Sequence, residues 1–205
     1  MMTKLFKFPI GIEIEFLKKK SEREIREILS PYNWLLEEEK GSDNTLELIS
    51  PPLLYSDNRE KIKEIFSTLD YLEKNKYIST QDKSNTGIHI HFDIYTFDIE
   101  KIKELVYKWI SQRDLFFSLV SPLRKSNQWC LQYDNLSPDL DNCESVKDIV
   151  DILQKQNGKC YDFNLRSYFK FATAEVRILE STTDFNIFEA LFLELSTHLF
   201  GEVYA

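Results

Sequence analysis

The sequence predicts an α+β fold, in which a single curved, mainly antiparallel sheet carries helices on one face and polar residues on the other. Five segments alternate apolar and polar residues with the period of two that a half-buried strand requires. The segments between them place apolar residues at the spacing of amphipathic helices. Because such helices need an apolar surface to pack on, we expect them to cover the apolar face of the sheet.

Length and composition predict one domain over residues 1–205. The hydrophobic content is 42% and the charged content is 29%, which is ordinary for a soluble globular protein. The three cysteines include no CxxC pair, which argues against a disulfide framework and against a cysteine-based zinc site and favours a reducing, cytoplasmic location. We expect neither a signal peptide nor a transmembrane helix.

The charge balance argues against nucleic-acid binding. The net charge is −8, and no run of basic residues is longer than Lys18–Lys20. A protein that binds phosphate backbones generally needs a basic patch. We therefore expect partners other than nucleic acid and membranes.

Residues 8–17 form the first predicted strand. Its apolar residues fall on one face, whereas Gly11, Glu13 and Glu15 fall on the other. Neighbouring carboxylates on one face repel each other unless cations lie near them. A solvent-exposed face is the alternative for such glutamates.

The next three elements are a helix and two strands. A capping-box pattern predicts a helix over residues 21–30, which Pro31 ends. Residues 34–40 are too polar for a central strand. Residues 45–50 alternate again and place Glu47 on the face opposite two leucines.

A helix beginning near Asp57 and ending near Lys74 precedes the central strand, residues 87–93. That strand places His89 and His91, two of the chain's three histidines, on one face. Its other face is apolar enough to pack on a core. The alternative is a half-buried strand whose polar face is solvated.

A long helix begins at Asp98, and the helical region breaks at Pro122. Arg124 and Asn127 follow in a predicted loop. Residues 132–143 are polar and rich in Asp, Asn and Pro, which predicts a mobile surface loop.

The last third of the chain predicts a helix from Val146 to near Asn157-Gly158, two strands and a final helix. The strands are residues 161–169 and 172–180, and the helix begins at Asp184. Polar side chains share one face of each strand: Asp162, Asn164 and Arg166 in the first, and Glu175 and Arg177 in the second.

Nine polar side chains therefore converge on one face of the predicted sheet: Glu13, Glu15, Glu47, His89, His91, Asn164, Arg166, Glu175 and Arg177. Unpaired buried charges cost several kcal/mol each, so the set is stable only if cations neutralise the acids. Carboxylates with an imidazole suit Mg²⁺ or Mn²⁺, and two such metals with arginines are typical of phosphoryl transfer. The sequence has no Walker A or GxGxxG motif, so a nucleotide would be held by metals and side chains.

Six motifs in order resemble the amidoligase family, small relatives of glutamine synthetase and glutamate–cysteine ligase in the carboxylate–amine ligase superfamily. They span about residues 11–184: Gly11-Ile-Glu-Ile-Glu15, Asp43-Asn-Thr-Leu-Glu-Leu-Ile-Ser-Pro51, Gly87-Ile-His-Ile-His91, Arg124-Lys-Ser-Asn127 with Trp129-Cys130, Asn164-Leu-Arg166 and Ala174-Glu-Val-Arg-Ile178. Each motif alone is weak, and their order makes the resemblance specific. It implies a glutamine synthetase-like catalytic domain.

The resemblance also implies roles for the converging residues. The implied metal ligands are Glu13, Glu15, Glu47, His89 and Glu175. His91, Arg166 and Arg177 would contact ATP phosphates or an acyl-phosphate as catalytic residues, and Arg124, Asn127 and Asn164 would contact nucleotide or substrate. No role is assigned to Asp43 or Ser50.

The implied reaction is ATP-dependent amide formation with Mg²⁺ or Mn²⁺. A substrate carboxylate attacks the γ-phosphate of ATP, and an amine then displaces phosphate from the acyl-phosphate. The substrates would be small-molecule or peptide carboxylates and amines. Because the chain is short for the superfamily, parts that cover nucleotide or substrate in larger members are either missing or supplied by a second subunit of a homo-oligomer.

Three alternatives remain open at this stage. The first is another metal-dependent enzyme of phosphoryl transfer on the same polar face, such as a hydrolase or kinase, which would turn over without an amine. The second is an inactive nucleotide-binding or interaction module. The third is a structural sheet with a solvated polar face.

Overall fold

The computed structural model describes residues 8–39, 44–82, 86–125, 127–128, 130–133, 138–154 and 160–201. Within them the strands are β1 (Ile10–Lys18), β2 (Leu35–Glu38), β3 (Thr45–Ile49), β4 (Ile78–Ser79), β5 (Gly87–Asp93), β6 (Phe163–Asn164) and β7 (Thr173–Glu180). The helices are α1 (Glu22–Leu29), α2 (Tyr55–Lys74), α3 (Ile99–Ser118), α4 (Pro122–Lys125), α5 (Val146–Leu153), α6 (Tyr168–Phe171) and α7 (Phe185–Phe200), and a 3₁₀ turn spans Ser30–Tyr32. Every helix in the described part of the chain is too short or too polar to cross a membrane.

All seven strands form one sheet, and every strand pair is antiparallel. The order is β2-β3-β1-β5-β7-β6, and β4 pairs with the end of β1. The α+β prediction, with one mainly antiparallel sheet, is therefore confirmed. As expected from its polarity, β2 lies at an edge of the sheet.

The apolar face of the sheet forms the core with the long helices. Ile12, Ile14, Ile90 and Phe92 are fully buried. They belong to one hydrophobic cluster with the buried apolar residues of α2, α3 and α7. Because side chains alternate along a strand, this packing directs the intervening glutamates and histidines to the opposite face.

Several predicted boundaries are wrong. The helix predicted from Asp57 begins two residues earlier, at Tyr55. Ser21 precedes α1 but makes no side-chain capping hydrogen bond. The helix predicted to end near Asn157-Gly158 ends at Leu153, and residues 155–159 lie outside the described part.

The predicted surface loop over residues 132–143 is only partly correct. Within it, Tyr133, Leu140 and Cys143 are buried in the hydrophobic cluster. These side chains anchor the segment against the core, although its composition is polar. Residues 134–137 of this segment lie outside the described part.

The strand predicted over residues 161–169 is much shorter, because the chain turns directly after Asn164. The Asn164 side-chain oxygen accepts a hydrogen bond of 2.9 Å from the Arg166 amide, and the Ser167 hydroxyl donates to the Asn164 carbonyl. These side-chain-to-backbone bonds replace ladder bonds and favour a turn. Helix α6 then begins at Tyr168.

Asp162 was predicted to share a face with Asn164, and this is wrong. Its side chain is fully buried, 3.2 Å from the Trp109 indole nitrogen and 3.3 Å from Arg113 Nε. Because Asp162 precedes the paired residues of β6, strand alternation does not govern it. Asp162 therefore belongs to the packing of α3 and not to the polar face.

Arg124 lies beneath the start of β5. Its guanidinium donates to the carbonyl oxygens of Ile178, Thr86 and Arg177 at 3.2, 3.4 and 2.5 Å. Only glycine at position 87 leaves room for the Arg124 guanidinium, since a Cβ there would lie 2.7 Å from Arg124 Nη2 and 3.0 Å from the Leu179 carbonyl oxygen.

Replacing Gly87 with Ala is therefore expected to lower the free energy of unfolding by about 1–3 kcal/mol, because the Arg124 guanidinium is held by three carbonyls and cannot move aside freely. Urea denaturation measures this loss. The matched variant Gly11→Ala should cost less, because its closest new contact, with His91 Cβ, is 3.3 Å. Equal stability of Gly87→Ala and the wild type would show that the Arg124 guanidinium does not lie against residue 87.

Candidate metal centre

Strand register brings the predicted polar residues side by side. Glu13 pairs with His89 across β1 and β5, and Glu15 pairs with Glu47 across β1 and β3. On the other side of β5, His91 pairs with Glu175 of β7. Directly opposed side chains on one face of an antiparallel pair lie about 5 Å apart at Cβ, so the register alone assembles a cluster.

These side chains line a depression of about 270 Å³ on the polar face. Its lining includes Glu13, Glu15, Glu39, Glu47, His89, His91, Asn164, Arg166, Ser167, Lys170, Phe171, Glu175 and Arg177. All nine residues that were predicted to converge therefore line this depression, and of these Arg166 is exposed.

His89 is surrounded by four carboxylates. Its Nδ1 atom lies 3.2 Å from Glu13 Oε2, 3.9 Å from Glu47 Oε1 and 3.8 Å from Glu175 Oε1, and its Nε2 atom lies 3.6 Å from Glu15 Oε1. One imidazole cannot neutralise four acids, even when it is protonated. The arrangement therefore favours additional positive charge between the carboxylates.

Glu13 bridges the two histidines. Its Oε1 atom lies 3.1 Å from His91 Nε2, and its Oε2 atom contacts His89. Burial would raise the pKa of Glu13, but hydrogen bonds and charges from His89 and His91 outweigh it and hold the pKa well below its usual range. Glu13 is thus an anion in the metal-free protein.

Glu47 behaves in the opposite way. Burial, together with the neighbouring carboxylates of Glu13, Glu39 and Glu15, raises the pKa of Glu47 to about 9. Without a cation, the free energy of this site is therefore lowered by a proton on Glu47. A divalent ion between the same oxygens would replace that proton.

The carboxylates and imidazoles form three overlapping groups whose potential ligand atoms lie within 4.8 Å of one another. The groups are Glu13, His91 and Glu175; Glu13, Glu47 and His89; and Glu15, Glu39 and Glu47. Oxygen-rich donor sets with at most one imidazole suit Mg²⁺ or Mn²⁺. The geometry can thus accommodate more than one ion on the polar face.

Neighbouring side chains hold Glu175 in place. Asn164 Nδ2 donates to Glu175 Oε2 at 2.6 Å, and the Arg177 guanidinium bonds to Glu175 Oε1. Burial would raise the pKa of Glu175, but the charges of Arg177, His91 and His89 outweigh it and lower the pKa. Asn164 therefore positions an acid of the cluster in this structure.

One family model matches this chain over residues 32–190, more than half of its length, and is described as "Putative amidoligase enzyme". The chain belongs to the amidoligase family. This membership indicates a ligase enzyme. No curated protein matches the chain. The amidoligase match contains β2–β7, whereas β1, with Glu13 and Glu15, precedes it.

Glu39 of the amidoligase site was not predicted from the sequence. It follows the edge strand β2, and its ligand atom lies within 4.8 Å of those of Glu15 and Glu47. The sequence shows it only as one of three consecutive glutamates, a pattern that is typical of a solvated edge. The pairing of β2 with β3 brings it to the site.

The structure does not bring Arg124 or Asn127 into the amidoligase depression. Arg124 is 2% exposed and bonds to three backbone carbonyls, and Asn127 is buried in the turn that follows α4. The prediction placed Arg124 in a loop, whereas it lies in α4 with its guanidinium packed under β5 and β7. Both motif residues therefore lie outside the depression, in α4 and in the turn that follows it.

Proposed function

We propose that this amidoligase is an ATP-dependent carboxylate–amine ligase that forms an amide through an acyl-phosphate, with Mg²⁺ or Mn²⁺ bound on the polar face. The observation that carries the proposal is the set of three overlapping ligand groups beside the buried guanidinium of Arg177. Family membership supports the ligase class.

The donor atoms fit divalent ions. His91 Nε2 is buried and lies 3.1 Å from Glu13 Oε1. His91 Nδ1 is 2.9 Å from Thr173 Oγ1, which fixes the ring orientation and leaves Nε2 directed at the cluster. Glu13, Glu15, Glu39, Glu47, His89, His91 and Glu175 would hold the ions.

The basic residues of the depression would hold the phosphates. Arg177 is buried between Glu175 and His89, and its Nε atom has no hydrogen-bond partner among the described residues. Arg166 and Lys170 line the same depression from the turn after β6 and from α6. Cations at these positions would stabilise negative charge that develops on a transferring phosphoryl group.

The proposed reaction has two balanced steps. An oxygen of the substrate carboxylate attacks the γ-phosphorus of ATP, and the bond to the β,γ-bridging oxygen breaks to release ADP. An amine nitrogen then attacks the acyl carbon, loses a proton and expels inorganic phosphate. Bound metals would supply charge neutralisation at the phosphates.

The test is a screen for ADP release with pairs of carboxylates and amines in the presence of Mg²⁺, followed by mass spectrometry of the products. We expect ADP release to require both compounds, and ¹⁸O from a labelled carboxylate to appear in the released phosphate. ADP release that is independent of any amine would instead identify a hydrolase or kinase on the same site. Absence of turnover with every pair would favour an inactive nucleotide-binding module.

Metal binding is expected to release protons from Glu47. Its raised pKa, about 9, means that it is protonated at neutral pH, and a ligand must lose its proton to bind an ion. The affinity for Mn²⁺ should therefore rise with pH, by up to about tenfold per unit below pH 9. Calorimetry in two buffers with different ionisation enthalpies measures the protons released.

The variant Glu47→Gln provides the control for this pH dependence. It should bind Mn²⁺ more weakly and lose most of the rise in affinity with pH, because Gln carries no titrating proton. A wild-type affinity that is constant between about pH 6 and pH 8 would contradict Glu47 as a metal ligand.

A further inference from the structure

A second depression, of about 260 Å³, opens beside the metal centre at one end of the sheet. Pro9, Gly11, Ile49, Pro52 and Phe171 contribute to its largely apolar lining. It shares Glu13, His91 and Phe171 with the depression described above. A molecule in this apolar groove would therefore reach the metal centre directly.

The two depressions differ in charge. Arg166, Lys170 and Arg177 line the metal depression, whereas the described residues place neither Lys nor Arg in the apolar groove. The groove instead contains the carboxylates of Glu13 and Asp93. Phosphates and acyl-phosphates thus fit the metal depression, and a cation fits the groove.

Asp93 is the carboxylate of the groove that belongs to none of the three ligand groups. It ends β5 on the same face as His89 and His91. Its Oδ1 atom accepts a hydrogen bond of 2.8 Å from the Tyr95 amide, which fixes the side chain. Within the described residues, Oδ2 has no hydrogen-bond donor and is available to a ligand.

Gly11 keeps the groove open. It lies on the same face of β1 as Glu13, and among the described residues a Cβ there would meet only His91 within 4 Å. Any larger side chain would therefore extend into the groove. The apolar walls beside it are Ile49, which pairs with Glu13 across β1 and β3, and the rings of Pro9, Pro52 and Phe171.

We infer that the apolar groove binds the amine substrate of the ligase, as a small primary amine with an apolar body. The body would contact Ile49, Pro52 and Phe171, and the ammonium would face Asp93 beside the metal centre. The volume of about 260 Å³ lies just below the range of sites for drug-sized ligands, about 300–1,000 Å³, so the body has few carbon atoms. The assignment of this amine as a substrate rests on the proposed ligase function.

The test compares three probes of one shape by NMR: 3-methylbutylamine, 3-methylbutan-1-ol and 3-methylbutanoate. The methyl signals of Ile49 report occupation of the groove. We expect the amine to shift these signals saturably, with an affinity at least about tenfold higher than those of the alcohol and the acid. Asp93→Asn keeps an oxygen for the Tyr95 amide and should remove this preference, whereas the exposed Glu37→Gln on the edge strand should not.

Two results would overturn the assignment while leaving the ligase proposal intact. One is equal binding of the amine and the alcohol, or no response of Ile49 to either. The other is displacement of the amine from Ile49 by a non-hydrolysable ATP analogue with Mg²⁺, which would show that the nucleotide occupies the groove. Amine binding that depends on Asp93, in a protein that binds no nucleotide, would support the groove assignment and count against the ligase function.

Discussion

Replacing Glu13 with Gln is expected to lower the affinity for Mg²⁺ or Mn²⁺ at least about 100-fold, since even residues that only orient metal ligands contribute about 10–100-fold. Glu13 belongs to two of the three ligand groups and contacts both histidines. Gln keeps one acceptor oxygen but carries no charge, so two ion positions lose an anionic ligand. Calorimetric titration with Mn²⁺ measures the loss.

The matched control for this variant is Glu37→Gln. Glu37 pairs with Glu47 across β2 and β3, but it is exposed and does not line the depression. The substitution makes the same chemical change on the edge strand β2, two strands from Glu13, and should leave Mn²⁺ affinity within about twofold. Equal affinities of wild type and Glu13→Gln, with both proteins folded by circular dichroism, would contradict the proposed metal centre.

Replacing Asp162 with Asn is expected to lower the free energy of unfolding by about 3–5 kcal/mol, the usual effect of removing one partner of a buried ion pair. Arg113 Nε lies 3.3 Å from Asp162 Oδ2, and both side chains are buried in the core beside Trp109. Arg113 Nη2 has no hydrogen-bond partner among the described residues, and Nη1 donates to the Tyr133 carbonyl, so loss of the carboxylate removes the anionic partner of a buried cation.

A double-mutant cycle isolates this pair. Arg113→Met removes the cation, so Asp162→Asn with Arg113→Met should recover at least about half of the lost stability. The measurement is urea denaturation at about pH 8, because burial raises the pKa of Asp162 to about 7. Additive losses in the double variant would show that the two side chains do not interact.

Alternation predicted β1, β5 and β7 correctly because each is long and apolar on one face. Because Ile12, Ile90 and Val176 pack in the core, the polar side chains that alternate with them must point to the opposite face of the sheet. The polar face, and most of the depression, follow from this rule. The same rule failed for Asp162, which lies one residue before a strand only two residues long.

Tertiary contacts explain what the sequence could not predict. Glu39 reaches the site through the pairing of β2 with β3, which no local pattern encodes. Arg124 is held by the carbonyls of Thr86, Arg177 and Ile178, all of which are remote from it in sequence. The local sequence around an arginine that donates hydrogen bonds to backbone carbonyls does not differ from that around an arginine that binds a ligand.

The apolar groove as a whole could not be predicted from the sequence either. Pro9, Pro52 and Phe171 come from three separate segments and meet only when the sheet has formed. Pro9 alternates with Gly11 and Glu13 in the first predicted strand, whereas Pro52 and Phe171 lie outside every predicted alternating segment. Gly11 gave a further signal, since a glycine on the polar face of a strand leaves space beside the backbone.

The most direct test of the central claim is a calorimetric titration with a non-hydrolysable ATP analogue, with and without Mg²⁺ or Mn²⁺. The wild type, Glu13→Gln and Glu37→Gln would be compared under the same conditions. We expect binding that requires the metal, is lost in Glu13→Gln and is retained in Glu37→Gln. Binding that is independent of the metal, or no binding with either metal, would contradict a nucleotide site on this polar face.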